Sequence, residues 1–256
     1  MDSAACVRLP AGWRATSDAL QDRVVLITGA AGGLGRASAL AAASAGATVI
    51  LLGRKVRPLE KIYDEITALG RAQPAIYPMD LSGASAKDYA DLSATMDKEF
   101  GRLDGIVHAA AHFDSLRPAT NIAPEEWLTS LHVNVSAPFL LTQACAALLM
   151  KSDAASVVFV MDDPERMRRA HWGGYGVAKH ALATLAAILH DEWENTSVRV
   201  HTLLPPPMRT ALRRAAYYGE NTMQLPPPDD IAPAIVYLLS ADGAAARGNV
   251  LDLRST

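Results

Sequence analysis

Short apolar runs of strand length alternate along this chain with longer segments of helical period, and this alternation limits the fold more than any other feature. The strand-like runs are 23–28, 47–52, 74–79, 105–109, 156–161, 198–204 and 249–253. The helical segments between them are 35–44, 58–69, 84–100, 124–150, 174–195 and 229–239. Strands that are apolar on both faces and alternate with helices form a parallel sheet covered on both sides. We therefore predict one α/β domain whose sheet of about seven strands is doubly wound through right-handed crossovers.

The composition of the chain limits the partners and the cellular compartment that we expect for this domain. Apolar residues make up 50% and charged residues 20% of the chain, which is ordinary for a globular protein with a large core. A net charge of −3 offers no basic face, so we expect no nucleic-acid partner. The cysteines, Cys6 and Cys145, are far apart in sequence, which argues against a disulfide framework and favours the reducing cytoplasm.

The first twenty residues are interpreted as a poorly ordered leader before a domain that spans 21–256. Charged residues and a proline interrupt them too often for a signal-peptide core. Later segments do not reach the roughly eighteen apolar residues that cross a bilayer, so we expect no membrane span.

The glycine-rich segment from Thr28 to Gly35 lies where the first strand passes directly into the first helix. Gly29, Gly33 and Gly35 let the backbone approach a ligand without a Cβ in the way. The helix amino terminus offers free N–H groups and partial positive charge to a pyrophosphate. This strand–turn–helix context predicts a dinucleotide site, with a merely tight turn as the alternative.

The end of the next strand indicates which dinucleotide binds. NAD-selective sites place an Asp or Glu here for the ribose 2′-hydroxyl, whereas this strand ends in Gly53-Arg54-Lys55. Arg54 can pair with a 2′-phosphate through charge-assisted hydrogen bonds. NADP(H) is therefore favoured and NAD(H) stays open, as does the reading of Arg54 as a solvated loop cation.

Tyr175 and Lys179 are four residues apart, so on a helix they share one face. An ammonium beside the phenol is expected to lower the pKa of Tyr175 from its ordinary value near 10. The phenol can then exchange a proton with an alcohol or a carbonyl oxygen. Alone, this spacing is common on surface helices.

With Thr28-Gly29-x-x-x-Gly33-x-Gly35 and Tyr175-x-x-x-Lys179, the chain resembles the short-chain dehydrogenase/reductase family from about residue 20 to residue 253. The resemblance implies a Rossmann fold, an NAD(P) cofactor and interconversion of a small-molecule alcohol and carbonyl. It also implies a homodimer or homotetramer through helices 124–150 and 174–195, although their apolar residues suit a buried core equally well.

The resemblance assigns roles to individual positions. Tyr175 and Lys179 become the catalytic pair, with Lys179 also holding the nicotinamide ribose, and Asn134 holds a water in the proton relay. Asp80 meets the adenine, and Thr210 closes over the carboxamide. The remaining implied cofactor contacts are Leu34, Leu81, His108, Ala109, Ala110 and Pro205.

The catalytic region departs from the family pattern. Thirteen residues before the tyrosine, where the family has a carbonyl-polarising serine, this chain has Asp162. An ionised Asp162 cannot donate a hydrogen bond and would raise the pKa of Tyr175, whereas a protonated one could donate. Ala111 and Pro206 also replace glycines of the pattern. Two hypotheses follow: an oxidoreductase in which Asp162 is an atypical polarising group, or a catalytically weak or silent dinucleotide-binding protein with a sensing or assembly role.

Two proline runs, Pro205–Pro207 and Pro226–Pro228, bracket the only long irregular segment, 205–228, which follows a strand end. Such a segment is typical of a substrate lid, with a tolerated surface insertion as the alternative. Its apolar and aromatic residues suit an apolar ligand, and its arginines suit an anion. The histidines are scattered, so we expect no metal site.

Overall fold

The computed structural model describes residues 5–254, and its centre is one eight-stranded, fully parallel sheet in the order β1-β8-β7-β6-β5-β2-β3-β4. The strands are β1 (Cys6–Val7), β2 (Val24–Thr28), β3 (Thr48–Gly53), β4 (Ala75–Pro78), β5 (Gly105–His108), β6 (Ser156–Val160), β7 (Arg199–Leu204) and β8 (Val250–Asp252). This agrees with the predicted single-sheet α/β architecture.

Helices cover both faces, as continuous apolar strands require. The α-helices are α1 (Gly33–Ser44), α2 (Val56–Ala68), α3 (Ala86–Phe100), α4 (Pro124–Leu131), α5 (Ala137–Leu149), α6 (Pro164–Met167), α7 (Gly173–Glu192), α8 (Ala211–Ala216) and α9 (Ala232–Leu239). One buried core lies under α1, α2 and α9, and a second lies under α3, α5 and α7. From β2 the chain winds outward through β3 and β4, and from β5 it winds the other way. The crevice between the carboxyl ends of β2 and β5 is where such a sheet binds ligands.

The helical segment predicted as 124–150 is interrupted in the structure. Between α4 and α5, His132–Ser136 forms a π-helical turn, in which the amide of Ala137 donates to the carbonyl oxygen of His132. Turns of this kind are rare and concentrate at functional sites. Here the turn contains Asn134, one of the predicted site residues.

The described part of the leader packs on the domain. Cys6 and Val7 pair with Val250 and Leu251 as the edge strand β1. Trp13 packs edge-on against Tyr237, and its indole N–H donates to Asp242 at 2.8 Å. The sequence predicts neither the strand nor these contacts, because two residues are too few for a periodic signal. Residues 1–4 of the predicted leader lie outside the described residues.

The predicted absence of long apolar segments needs one correction. The helical run Pro124–Leu149 is long and apolar enough, by length and composition alone, to cross a membrane. Core helices of folded domains pass the same test. Here the run packs against α3 through α5 and against α7 through α4.

Candidate active site

The glycine turn, residues Thr28 to Gly35, forms the floor of a cleft with a cavity volume of about 580 Å³ at the carboxyl ends of the strands. Gly29 has φ +64°, and a Cβ there would lie 2.7 Å from the Cα of Ala110. A Cβ on Gly35 would overlap the carbonyl oxygen of Gly29. Helix α1 begins after Gly32, a residue without a side chain to occupy the first amides. These amides therefore face the cleft unscreened, which suits a pyrophosphate.

The far end of the cleft lies beside β3 and β4. Arg54 and Lys55 line it, directly after the last residue of β3. The pKa of Asp80 is lowered by hydrogen bonds from the amide and the hydroxyl of Ser82, and further by the charge of Arg54. Leu81 lines the same wall. This end thus presents two cations, one carboxylate and an apolar contact, which suits an adenosine with a 2′-phosphate.

The segment after β5 lies beside the glycine turn. Ala109 and Ala110 line the cleft, and the amide of Ala110 donates to the hydroxyl of Thr28 at 3.1 Å. His108, predicted with them, is different. Its side chain is buried in the core, stacked on Phe159 with the ring centroids 4.8 Å apart and bonded through Nε2 to Thr142. Strand alternation turns it away from the cleft, so the prediction that it contacts the cofactor is wrong for the side chain. Burial lowers the pKa of His108 to about 3, so its imidazole is neutral.

Asn134 fixes the same segment from the π-helical turn. Its Oδ1 accepts from the amide of His112 at 3.0 Å, and its Nδ2 donates to the carbonyl oxygens of His112 and Ser130, each at 2.8 Å. The side chain is buried. Both amide donors are thus used by backbone groups, which places Asn134 as a support for the cleft wall at His112.

Tyr175 and Lys179 share one face of α7 and line the opposite end of the cleft, below called the substrate end. The Nζ of Lys179 donates to the carbonyl oxygen of Val160 at 2.8 Å and lies 5.6 Å from the centroid of the Tyr175 ring. Burial lowers the pKa of Lys179 to about 8. Against expectation, the pKa of Tyr175 is raised well above its ordinary value, first because the phenol is buried and then because of the charge of Asp162.

Asp162 follows β6 by two residues and meets the tyrosine directly. The hydroxyl of Tyr175 donates to its Oδ2 at 3.1 Å, while Nη2 of Arg166 donates to its Oδ1 at 2.6 Å. A hydrogen bond from a guanidinium favours the ionised form of a carboxylate. Of the two interpretations of Asp162 considered above, this geometry favours the ionised one, in which the carboxylate accepts a hydrogen bond from the phenol.

Sequence reasoning missed Arg166, which lines the substrate end four residues after Asp162. The sequence carried a usable signal, because Asp163-Pro164 is a typical helix start and the first turn that follows brings Arg166 back toward Asp162. His112 also lines the cleft without having been singled out.

The segment 205–228 covers the substrate end. Pro205 and Met208 line the cleft, and Thr210 lines it while capping α8 by accepting from the amide of Arg213. The amide of Arg209 donates to the carbonyl oxygen of Pro226 and closes the base of the segment. Trp172 and Tyr217 add an aromatic wall, with ring centroids 6.0 Å apart.

A parallel, doubly wound sheet with a glycine turn at its switch point and a tyrosine–lysine pair across the cleft defines a dinucleotide-binding protein of oxidoreductase type. Residues 23–221 match the family model of the short chain dehydrogenases. The chain belongs to this family.

Individual relatives agree with this assignment. The chain is 36% identical to the Escherichia coli K12 oxidoreductase YciK over 92% of this chain and 93% of that protein. A short chain dehydrogenase structure from Pseudomonas syringae superposes with a TM-score of 0.89 at 39% identity, covering 94% of this chain and 99% of that one. A structure from Escherichia coli CFT073, solved in complex with NADPH, has a TM-score of 0.89 at 36% identity, covering 94% and 100%.

Proposed function

We propose that this protein is an NADP(H)-dependent oxidoreductase that interconverts a small-molecule alcohol and the corresponding carbonyl compound. The observation that carries the proposal is one continuous cleft with the glycine turn and Arg54 toward one end and Tyr175 and Lys179 at the other. The similarity to a dehydrogenase solved with NADPH supports the choice of cofactor.

The residues present fit the cofactor. At Gly29 and Gly35 a Cβ would strike neighbouring backbone, so glycine at both positions lets the turn keep the tight form that leaves the first amides of α1 open to a diphosphate. Arg54 forms no ion pair within residues 5–254, so its guanidinium is available to a 2′-phosphate. Thr210 and Pro205 would contact the nicotinamide side, and Lys179 would hold the ribose next to it. When bound, the nicotinamide supplies or accepts a hydride at the carbonyl carbon.

Tyr175 would then give the carbonyl oxygen its proton. The raised pKa of Tyr175 disfavours the phenolate that proton removal during oxidation requires, so the residue suits reduction, in which it is a weaker acid than an ordinary tyrosine. Lys179 keeps positive charge beside the phenol, and Asn134 acts as a positioning residue through the His112 backbone. Before a substrate binds, Asp162 accepts the hydrogen bond of the phenol.

The alternative proposal is a catalytically weak or silent dinucleotide-binding protein. The contact between Tyr175 and Asp162 favours it, because an ionised carboxylate stands where a donor to the developing oxyanion is needed. Loss of one such donor typically costs about a hundred- to a thousandfold in rate.

Consumption of NADPH with a panel of carbonyl compounds tests the proposal, comparing the native protein with Tyr175→Phe. We expect the variant to lose about a hundredfold or more in kcat, since it lacks the only proton donor assigned to the reaction. Its affinity for NADPH, measured by titration calorimetry, is expected to be unchanged. Equal rates would eliminate the chemistry, and binding without turnover in either protein would favour the silent alternative.

We further propose that the protein assembles as a homodimer or homotetramer in the cytoplasm. Helices α4, α5 and α7 expose large apolar side chains, at Leu128, Phe139, Val177 and Ile188. A self-complementary pairing of these helices would cover them. Sedimentation velocity of the native protein and of Val177→Glu tests this, with a shift of the variant toward monomer expected.

A further inference from the structure

Arg166 is the side chain at the substrate end whose hydrogen-bonding capacity the proposed reaction leaves unused. Its Nη2 donates to Asp162, and within residues 5–254 its guanidinium makes no other hydrogen bond. The Nε is buried and lacks a partner in that part of the chain. A guanidinium carries five donors in a planar fork, so apart from the enclosed Nε and the donor to Asp162, the remaining donors of Nη1 and Nη2 have no partner in the described part of the chain.

The second arginine of this end is already occupied. The Nε and Nη2 of Arg213 both donate to Glu220, at 2.6 Å each, and its guanidinium lies over the Tyr217 ring with Cζ 3.8 Å from the centroid. Its fork is thus closed by a carboxylate of the lid. Arg166, with one donor used, remains the open cationic fork beside the reacting groups.

Charge and shape at this end suit an amphiphilic anion. Arg166, Lys179 and Arg213 line it, and among the described residues Asp162 is its one lining carboxylate. Because Glu220 neutralises Arg213, the charge open to a ligand comes from Arg166 and Lys179. The adjoining wall is apolar and aromatic, formed by Trp172, Met208, Leu212, Ala216 and Tyr217. A neutral polar ligand would use neither the spare charge nor the aromatic wall.

We propose that Arg166 binds a carboxylate of the substrate, so that the substrate class is an oxo acid with an apolar or aromatic body, or the corresponding hydroxy acid. The two oxygens of Asp162 contact Arg166 and Tyr175 respectively, so the guanidinium and the phenol are separated by the width of one carboxylate. A substrate that contacts both groups therefore carries its carboxylate close to the reacting carbonyl. In the reduction, the C=O π bond gives way to new C–H and O–H bonds as NADPH is oxidised, and the carboxylate is unchanged. This inference rests on the proposed oxidoreductase function.

The test compares phenylglyoxylate with phenylglyoxylamide, which keeps the shape and loses the charge. We expect kcat/KM to favour the carboxylate by tenfold to a hundredfold, on the order of a charge-assisted hydrogen bond. Arg166→Gln should abolish that preference, so that the variant turns over the two compounds at kcat/KM values within about twofold of each other. Arg168→Gln is the matched control, since Arg168 is an exposed arginine two residues on that pairs with Glu165 outside the cleft.

Binding gives a readout independent of turnover. Calorimetric titration of the protein with benzoate and with benzamide should show benzoate affinity that Arg166→Gln removes. Asp162→Asn frees the guanidinium from its partner, so benzoate should bind that variant more tightly than native protein. If Arg166 only neutralised Asp162, Asp162→Asn would bind benzoate equally well with and without Arg166→Gln in the same chain, and the proposal would be overturned.

The outcomes separate this inference from the proposed function. Turnover of both compounds at equal kcat/KM would overturn carboxylate recognition and leave the oxidoreductase intact. Benzoate binding that depends on Arg166, without turnover of any carbonyl compound, would support the anion site and overturn the oxidoreductase. Unchanged thermal unfolding of Arg166→Lys, with partly retained benzoate affinity, would support a role for charge over one in packing.

Discussion

The two ends of the cleft are formed by different parts of the chain: backbone groups at one end and charged side chains at the other. At the glycine turn, contacts depend on backbone geometry, with amides of α1 exposed and Gly29 and Gly35 packed against neighbouring main chain. At the substrate end, the chemistry depends on side-chain charges, with Asp162 between Arg166 and Tyr175. A backbone site is constrained by its fold, whereas a side-chain site can change its chemistry by one substitution while the fold persists. The comparison predicts that substitutions at the glycine turn abolish cofactor binding, and that substitutions at the substrate end change the catalytic rate.

The largest effect is expected at the turn. Gly35→Ala places a Cβ against the carbonyl oxygen of Gly29, a backbone atom that moves only with the whole turn. We expect the Kd for NADPH, measured by calorimetry, to rise by more than about a hundredfold, equivalent to ~3 kcal/mol. Gly83→Ala is the control, because a Cβ there meets no described atom within 4 Å. Retained affinity in Gly35→Ala would show that the turn is not the binding element.

At the substrate end, Asp162→Ser is expected to increase activity. The serine hydroxyl can donate to a developing oxyanion, and removal of the carboxylate lowers the pKa of Tyr175. We expect kcat for neutral carbonyl compounds to rise by about a hundredfold with NADPH affinity unchanged. Asp163→Ser is the control, since Asp163 caps α6 and serine can cap in its place. A loss of activity in Asp162→Ser would mean that the native carboxylate participates in catalysis.

Lys179 allows a test of function against stability. The pKa of Lys179 is lowered from 10.5 to about 8, so the folded protein binds this proton more weakly than the unfolded chain does. Lys179→Met should therefore raise the free energy of unfolding by about 2 kcal/mol. The lowered pKa corresponds to a cost of ~3 kcal/mol that the variant avoids, and the variant loses the hydrogen bond to Val160, which offsets about 1 kcal/mol of this gain. The gain is complete below about pH 8 and disappears toward pH 10.5, where neither state carries the charge. Denaturant titrations at pH 7 and pH 10 measure it, with the exposed Lys61→Met as reference. Equal stabilities at pH 7 would contradict the burial cost.

The smallest effect concerns cofactor choice. Arg54 is exposed, so its contribution to binding a 2′-phosphate is screened by solvent. Arg54→Gln should weaken NADPH about tenfold and leave NADH unchanged, as measured by paired calorimetric titrations. Arg57→Gln, one turn along on α2 and outside the cleft lining, should change neither. Equal weakening of both nucleotides by Arg54→Gln would assign Arg54 to a general electrostatic role.

Much of this architecture follows from local patterns. The apolar runs and helical periods predict the strands from β2 to β8, because burial of both sheet faces imposes continuous hydrophobicity. Strand β1 was missed because its two residues are held by Val250 and Leu251, which are remote in sequence. The π-helical turn was missed for a related reason, since its residues fit an α-helical period and the break serves a contact between Asn134 and His112.

The sequence by itself determined the fold class, because that depends on periodicity, and its glycine-turn and tyrosine–lysine motifs carried the resemblance to the family. Only the tertiary structure decided that His108 faces the core, that Asp162 accepts from both Arg166 and Tyr175, and that the pKa of Tyr175 rises. The physical reason is the distance along the chain over which each interaction acts. Patterns within a few residues set secondary structure, whereas protonation depends on burial and on charges that the fold brings within hydrogen-bonding distance.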